Sequence, residues 1–185
     1  MVVAAAWRGA ATDCDGGRLC RRRLDRGLIA GAARGTATPA GGGLCLSPFF
    51  DLSCTNLEER EQESVDYVNA QIIRRSAELY LNGTAPRVPH VSPLYADLRG
   101  LPPLLIQASS SEFLAADAIH FANRAQAAGV DVKLTIDNHM IHVYQFLHQI
   151  VPEANDAVKE LGHFVRKRTH RADPAEQQLE LQKWY

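Results

Sequence analysis

With 185 residues, 46 % of them apolar, the chain is long enough for one domain with a sizeable core. Its 20 basic and 21 acidic residues leave a formal charge of −1, so no overall field draws in nucleic acid or an anionic membrane, and a small, roughly neutral substrate fits better. No run approaches the roughly 18 to 20 apolar residues that cross a bilayer, so no membrane span is expected.

Residues 1–40 are made largely of Ala, Gly and Arg, with an Arg21-Arg22-Arg23 cluster and no sustained period of 3.6 or 2. They read as an atypical, poorly ordered leader. A nucleic-acid arm would need aromatics or a basic helical face, and this segment has only Trp7 and no such face. No basic residues precede the apolar start, so secretion is not indicated and a cytoplasmic chain is expected. Cys14, Cys20, Cys45 and Cys54 form no CxxC pair and no zinc framework, which suits free thiols in a reducing compartment.

From residue 41 the pattern becomes orderly. Gly41-Gly42-Gly43-Leu44-Cys45-Leu46-Ser47-Pro48 is a short apolar run ended by a proline, a buried strand with a forced stop. Val65, Val68, Ile72 and Leu79 predict an amphipathic helix over about residues 64–81, closed by Asn82-Gly83. Five prolines between 86 and 103 predict an extended connection. Leu104-Leu105-Ile106-Gln107 reads as a strand covered on both faces, and a helix over about 112–128 follows, with Phe113, Ala116, Ile119 and Phe121 on its apolar side and Gly129 at its end. Alternation over residues 130–136 gives a strand near a sheet edge, and Ala154, Ala157, Val158, Leu161, Phe164 and Val165 mark a last helix opened by Pro152 and ended by Arg166-Lys167-Arg168. The tail beyond His170 is polar.

Strands alternating with helices predict an α/β fold with a mainly parallel sheet, whose ligands gather at the carboxyl ends of the strands. Two segments fall there: residues 109–112 and 137–142. Glu112 and His142 could meet, and a carboxylate on an imidazole fixes its tautomer and stabilises the imidazolium, the supporting half of a hydrolase triad. Ser109-x-x-Glu112 is also a capping box, in which an acid is favoured with no catalytic role. The His139-x-x-His142 pair lacks a third ligand at a matching spacing, so no metal is expected.

Leu46-Ser47-Pro48-Phe49-Phe50-Asp51-Leu52, Tyr80-Leu81-Asn82-Gly83, Ser92-Pro93-Leu94-Tyr95-Ala96-Asp97-Leu98, Gly100-Leu101-Pro102-Pro103-Leu104-Leu105-Ile106-Gln107, Glu112-Phe113-Leu114-x-x-Asp117 and Met140-Ile141-His142-Val143-Tyr144 follow one another in an order that resembles the hormone-sensitive-lipase-like α/β-hydrolases. The resemblance covers about residues 41–168, the C-terminal portion of that domain. It implies a carboxylic-ester hydrolase acting on small acyl esters without a cofactor, with His142 as general base, Glu112 as its orienting acid and Asp117 as the alternative acid. It also implies homodimerisation through the last strand and neighbouring helix.

The family's nucleophile sits in a Gly-x-Ser-x-Gly elbow, and its oxyanion hole in a His-Gly-Gly-Gly-type loop; this sequence contains neither. Ala40-Gly41-Gly42-Gly43 imitates the oxyanion loop but precedes the wrong strand. Residues 1–40 stand where the elbow would be, as a shifted reading frame or truncated gene would leave them, and translation of the upstream DNA in all frames tests this. A non-catalytic interaction module is the competing reading. Three parallel strands alone would leave an open edge at residues 43–47, inviting association.

Overall fold

Apolar runs too short for helices form strands here, and the amphipathic segments between them supply the layers that cover the strands. The computed structural model describes residues 3–7, 41–55 and 66–169. Strands β1 (Val3–Trp7), β2 (Gly42–Leu46), β3 (Leu104–Ser109) and β4 (Val132–Asp137) form one sheet in the order β1-β2-β3-β4. Strands β2, β3 and β4 are parallel, with Leu46 opposite Gln107 and Ser109 opposite Asp137. Their carboxyl ends therefore lie side by side, and the loops that leave them share one edge.

Helix α1 (Ala70–Leu81) lies between β2 and β3, α2 (Ala115–Ala127) links β3 to β4, and α3 (Pro152–Thr169) follows β4. Alternation along β3 separates the two covering helices. Leu104, Ile106 and Ala108 pack with Ala118, Phe121, Ala122 and Ala125 of α2. Gln107, with the opposite parity, donates its amide to Ala157 O at 3.1 Å and Glu160 Oε2 at 2.7 Å on α3. Phe50 stacks on Phe121 with ring centroids 3.9 Å apart, locking the loop after β2 onto α2. Cys45 sits in this core, where burial pushes its thiol up to about 12 and leaves it an inert side chain.

The glycine run before Leu44 has a packing reason. A Cβ on Gly42 would meet Phe164 Cε1 at 2.7 Å, so the approach of α3 to β2 needs a residue without a side chain there.

Three expectations differ from the structure. The edge at residues 43–47 is covered, because Val3–Trp7 pairs antiparallel with β2 from Val3 opposite Leu46 to Trp7 opposite Gly42. Helix α1 starts at Ala70, not residue 64, since Asn69 caps it by accepting Ile72 N–H at 2.9 Å. Its buried face is Ala70, Ile73 and Ala77, packed with Phe49, Leu52, Phe113 and Leu114, while Ile72 and Leu79 are exposed; small alanines let the helix approach closely, which a count of large apolar residues overlooks. Helix α2 starts at Ala115, not residue 112, and turns Ile119 outward. The Asn82 stop is as expected, with φ 42° and ψ 48°.

Glu160 of α3 accepts hydrogen bonds from Gln107 and from Thr135 Oγ1 (3.1 Å) and pairs with Lys133. Burial pushes its carboxyl up, but the bonds from Lys133, Gln107 and Thr135 outweigh this and hold it below the ordinary value of about 4.5. A lowered carboxylate pKa stabilises the fold above the ordinary value, and that contribution is lost as pH falls through the lowered one. Glu160→Gln is therefore expected to flatten the acid limb of a urea-stability profile between pH 6 and 3. An unchanged slope would assign the limb to other groups.

Candidate functional site

Two loops leave the carboxyl edge of the sheet together, residues 110–114 after β3 and 138–143 after β4, joined by Ser110 N–H donating to Asp137 O at 2.8 Å. Glu112 lies in the first and His142 in the second. Oε1 of Glu112 accepts the Ser109 N–H at 3.2 Å, closing the turn between β3 and α2. That bond aims Oε2 the other way, 3.3 Å from His142 Nδ1. Glu112 is 4 % exposed and His142 7 %; at this ion-pair distance Oε2 and Nδ1 do not form a hydrogen bond with each other, and neither has a hydrogen-bond partner elsewhere among the described residues. The capping box expected at Ser109-x-x-Glu112 does not form, because α2 begins at Ala115 with Leu114 at its N-cap; Glu112 instead braces the turn ahead of the helix with one carboxylate oxygen and faces His142 with the other.

The separation is that of an ion pair, somewhat longer than the roughly 2.7–2.9 Å of a charge-assisted hydrogen bond, and such contacts tighten when substrate arrives. A carboxylate on Nδ1 selects the tautomer in which Nε2 is free to take a proton. The pair can therefore act as a general base with an orienting acid.

The histidine loop is held mostly by side chains from elsewhere. Ser110 Oγ accepts His139 N–H at 3.4 Å and Ser109 Oγ accepts Met140 N–H at 2.9 Å. Asp66 Oδ2 accepts His142 N–H at 3.1 Å, and Ser47 Oγ accepts Val143 N–H at 2.9 Å. His139 (φ 60°), Val143 (φ 53°) and Ser47 (φ 43°) all adopt left-handed backbone, which is costly for a β-branched valine and persists only when neighbours fix it. Tyr67 donates its hydroxyl to His142 O at 3.1 Å and sets its ring edge-on to the imidazole, centroids 6.1 Å apart. Its phenol is raised above the ordinary tyrosine range by burial and then by the negative charges of Asp66 and Glu112. Tyr144, fully buried, donates to the Asp137 carboxylate and is raised by burial and by that bond.

Asp117 stands apart from this group. It is 2 % exposed in α2, and its Oδ2 accepts Phe50 N–H at 3.2 Å and Asp51 N–H at 3.0 Å, tying down the loop after β2. Sequence spacing missed Asp66, Tyr67 and Ser47 as neighbours of His142. They lie 76, 75 and 96 residues from the groups they bind, and no local pattern marks them.

Asp66, Glu112 and His142 place ligand-type atoms within 4.8 Å of one another, the third ligand that the His139-x-x-His142 spacing lacked, and His139 is not in the set. Zinc holds its donors at about 2.0–2.1 Å, so two donors are never more than about 4.2 Å apart. This cluster would have to contract, and Asp66 Oδ2 would have to leave the His142 N–H.

A family model described as the alpha/beta hydrolase fold matches residues 23–146, beginning inside the segment read as a leader. The chain is 39 % identical over 136 residues to an acetyl-hydrolase of Streptomyces hygroscopicus, covering 73 % of this chain and 45 % of that protein. It is 32 % identical over 123 residues to an esterase of Acinetobacter venetianus, covering 65 % of this chain and 41 % of that protein. It also superposes on the crystal structure of an esterase from the bacterial hormone-sensitive lipase family with a TM-score of 0.71 and 38 % identity, covering 76 % of this chain and 48 % of that one. The chain spans less than half the length of these relatives. Among the described residues, no helix is long and apolar enough to cross a membrane.

Proposed function

This chain belongs to the α/β-hydrolase family, and we propose on that basis that it carries the acid–base half of a carboxylic-ester hydrolase, with His142 as general base and Glu112 as its orienting acid. The observation that carries the proposal is the buried 3.3 Å approach of Glu112 Oε2 to His142 Nδ1 at the carboxyl ends of adjacent parallel strands. In ester cleavage, Nε2 of His142 takes the proton from the attacking hydroxyl as its oxygen bonds to the acyl carbon. The imidazolium then returns that proton to the leaving alkoxide, while Glu112 balances its charge. Asp117 is committed to main-chain N–H groups of the loop after β2, which supports Glu112 over it as the acid.

The reading gives small acyl esters as substrates, a cytoplasmic location, and pairing of two copies through β4, the last strand and one of the two edges of the sheet, with its neighbouring helix. No Gly-x-Ser-x-Gly elbow lies in the sequence, so the full chain alone should take up no fluorophosphonate label. The direct test is a hybrid in which residues 41–169 replace the matching part of the Streptomyces hygroscopicus acetyl-hydrolase, keeping that protein's own preceding portion. Turnover of p-nitrophenyl acetate by the folded hybrid supports the proposal. A folded hybrid without turnover sinks it.

A further inference from the structure

Two residues in the approach to α1 reach His142 from outside the Glu112–His142 pair. Asp66 and Tyr67 grip the main chain of His142 from both sides, Asp66 Oδ2 on its N–H and Tyr67 Oη on its carbonyl oxygen. Among the described residues, these side chains bind the main chain of the histidine itself, and they come from a different part of the fold than either strand that carries the pair. Val68, the next residue, is buried with Ile73, Phe113 and Leu114, so the grip is anchored in the apolar cluster beneath α1.

We propose that Asp66 and Tyr67 are positioning residues that fix the imidazole of His142 on Glu112. This rests on the acid–base reading of that pair. The loop after β4 makes no sheet ladder at His142, so its two main-chain polar groups would otherwise turn to solvent and the ring would swing with them. Held at both ends of the residue, the Cα–Cβ vector keeps Nδ1 facing Oε2. The bond from His142 N–H occupies Asp66 Oδ2, while Glu112 Oε2 lies 3.3 Å from Nδ1. The left-handed φ of Val143, pinned by Ser47, sets the exit direction of the loop, and the Asp66–Tyr67 grip sets the histidine.

The test uses the full chain with 15N-labelled histidine and two-bond proton–nitrogen spectra, with His142 picked out of the seven histidines by its absence in His142→Gln. The native chain is expected to show His142 as a single Nδ1–H tautomer. Asp66→Ala and Tyr67→Phe should each convert it to a tautomer mixture with broadened ring signals. Asp66→Asn, which keeps an oxygen acceptor for the N–H, should restore the native pattern, as a merely electrostatic role would not. Tyr67 is 59 % exposed, so its substitution spares the core and decides the question if Asp66→Ala does not fold. Native ring signals in folded Asp66→Ala and Tyr67→Phe overturn the proposal. Glu112→Gln separates the two readings: unchanged ring signals there remove the acid–histidine pair itself, whereas a change there with none in the clamp variants removes only the clamp.

Discussion

His142→Ala in the hybrid enzyme is expected to lower kcat/KM for p-nitrophenyl acetate by about 10⁶-fold, with KM little changed. The size follows from the role: without a base the attacking hydroxyl keeps its proton, and removing the histidine of such a triad costs about as much as removing the whole constellation. Glu112→Gln should cost less, about 10⁴-fold, because an amide at the Oε2 position can stabilise the wrong tautomer while leaving the ring in place. Initial rates across a tenfold substrate range measure both. A loss below about tenfold in His142→Ala would mean that another group takes the proton.

Asp117→Ala is expected to destabilise the chain by about 2–4 kcal/mol, read as a lower urea midpoint with an unchanged slope. The carboxylate is 2 % exposed and serves the N–H groups of Phe50 and Asp51, so its removal leaves two buried donors unsatisfied beside the Phe50–Phe121 stack. Asp117→Asn, which keeps one acceptor, should recover part of the loss. Neither variant should move the ring signals of His142, because Asp117 binds a different loop. A shifted tautomer in folded Asp117→Asn would revive it as the partner acid.

The meeting of Glu112 and His142 was legible at the level of residue type and strand end. Leu104–Ser109 opens as a short apolar run and Val132–Asp137 alternates, and the two loops after them had to emerge at one edge of a parallel sheet. Helix stops were readable as well, since Asn82 adopts left-handed backbone by local rules alone. The starts of α1 and α2 were not. Asn69 caps α1 through its side chain, and Phe113 and Leu114 are buried in the turn ahead of α2, in contact with the α1 layer.

The sequence by itself determined the alternation of strand and helix, the α/β class and the identity of the acid–histidine candidates, because periodicity, turn chemistry and motif order are properties of neighbours along the chain. Only the tertiary structure decided which face of α1 is buried, that Val3–Trp7 covers the β2 edge, that Asp117 serves a backbone loop, and that Asp66, Tyr67 and Ser47 hold the histidine. Those outcomes depend on contacts between residues up to 96 positions apart. A hydrogen bond over that distance leaves no periodic trace in the chain, since the distance in sequence places no constraint on the types of the residues between.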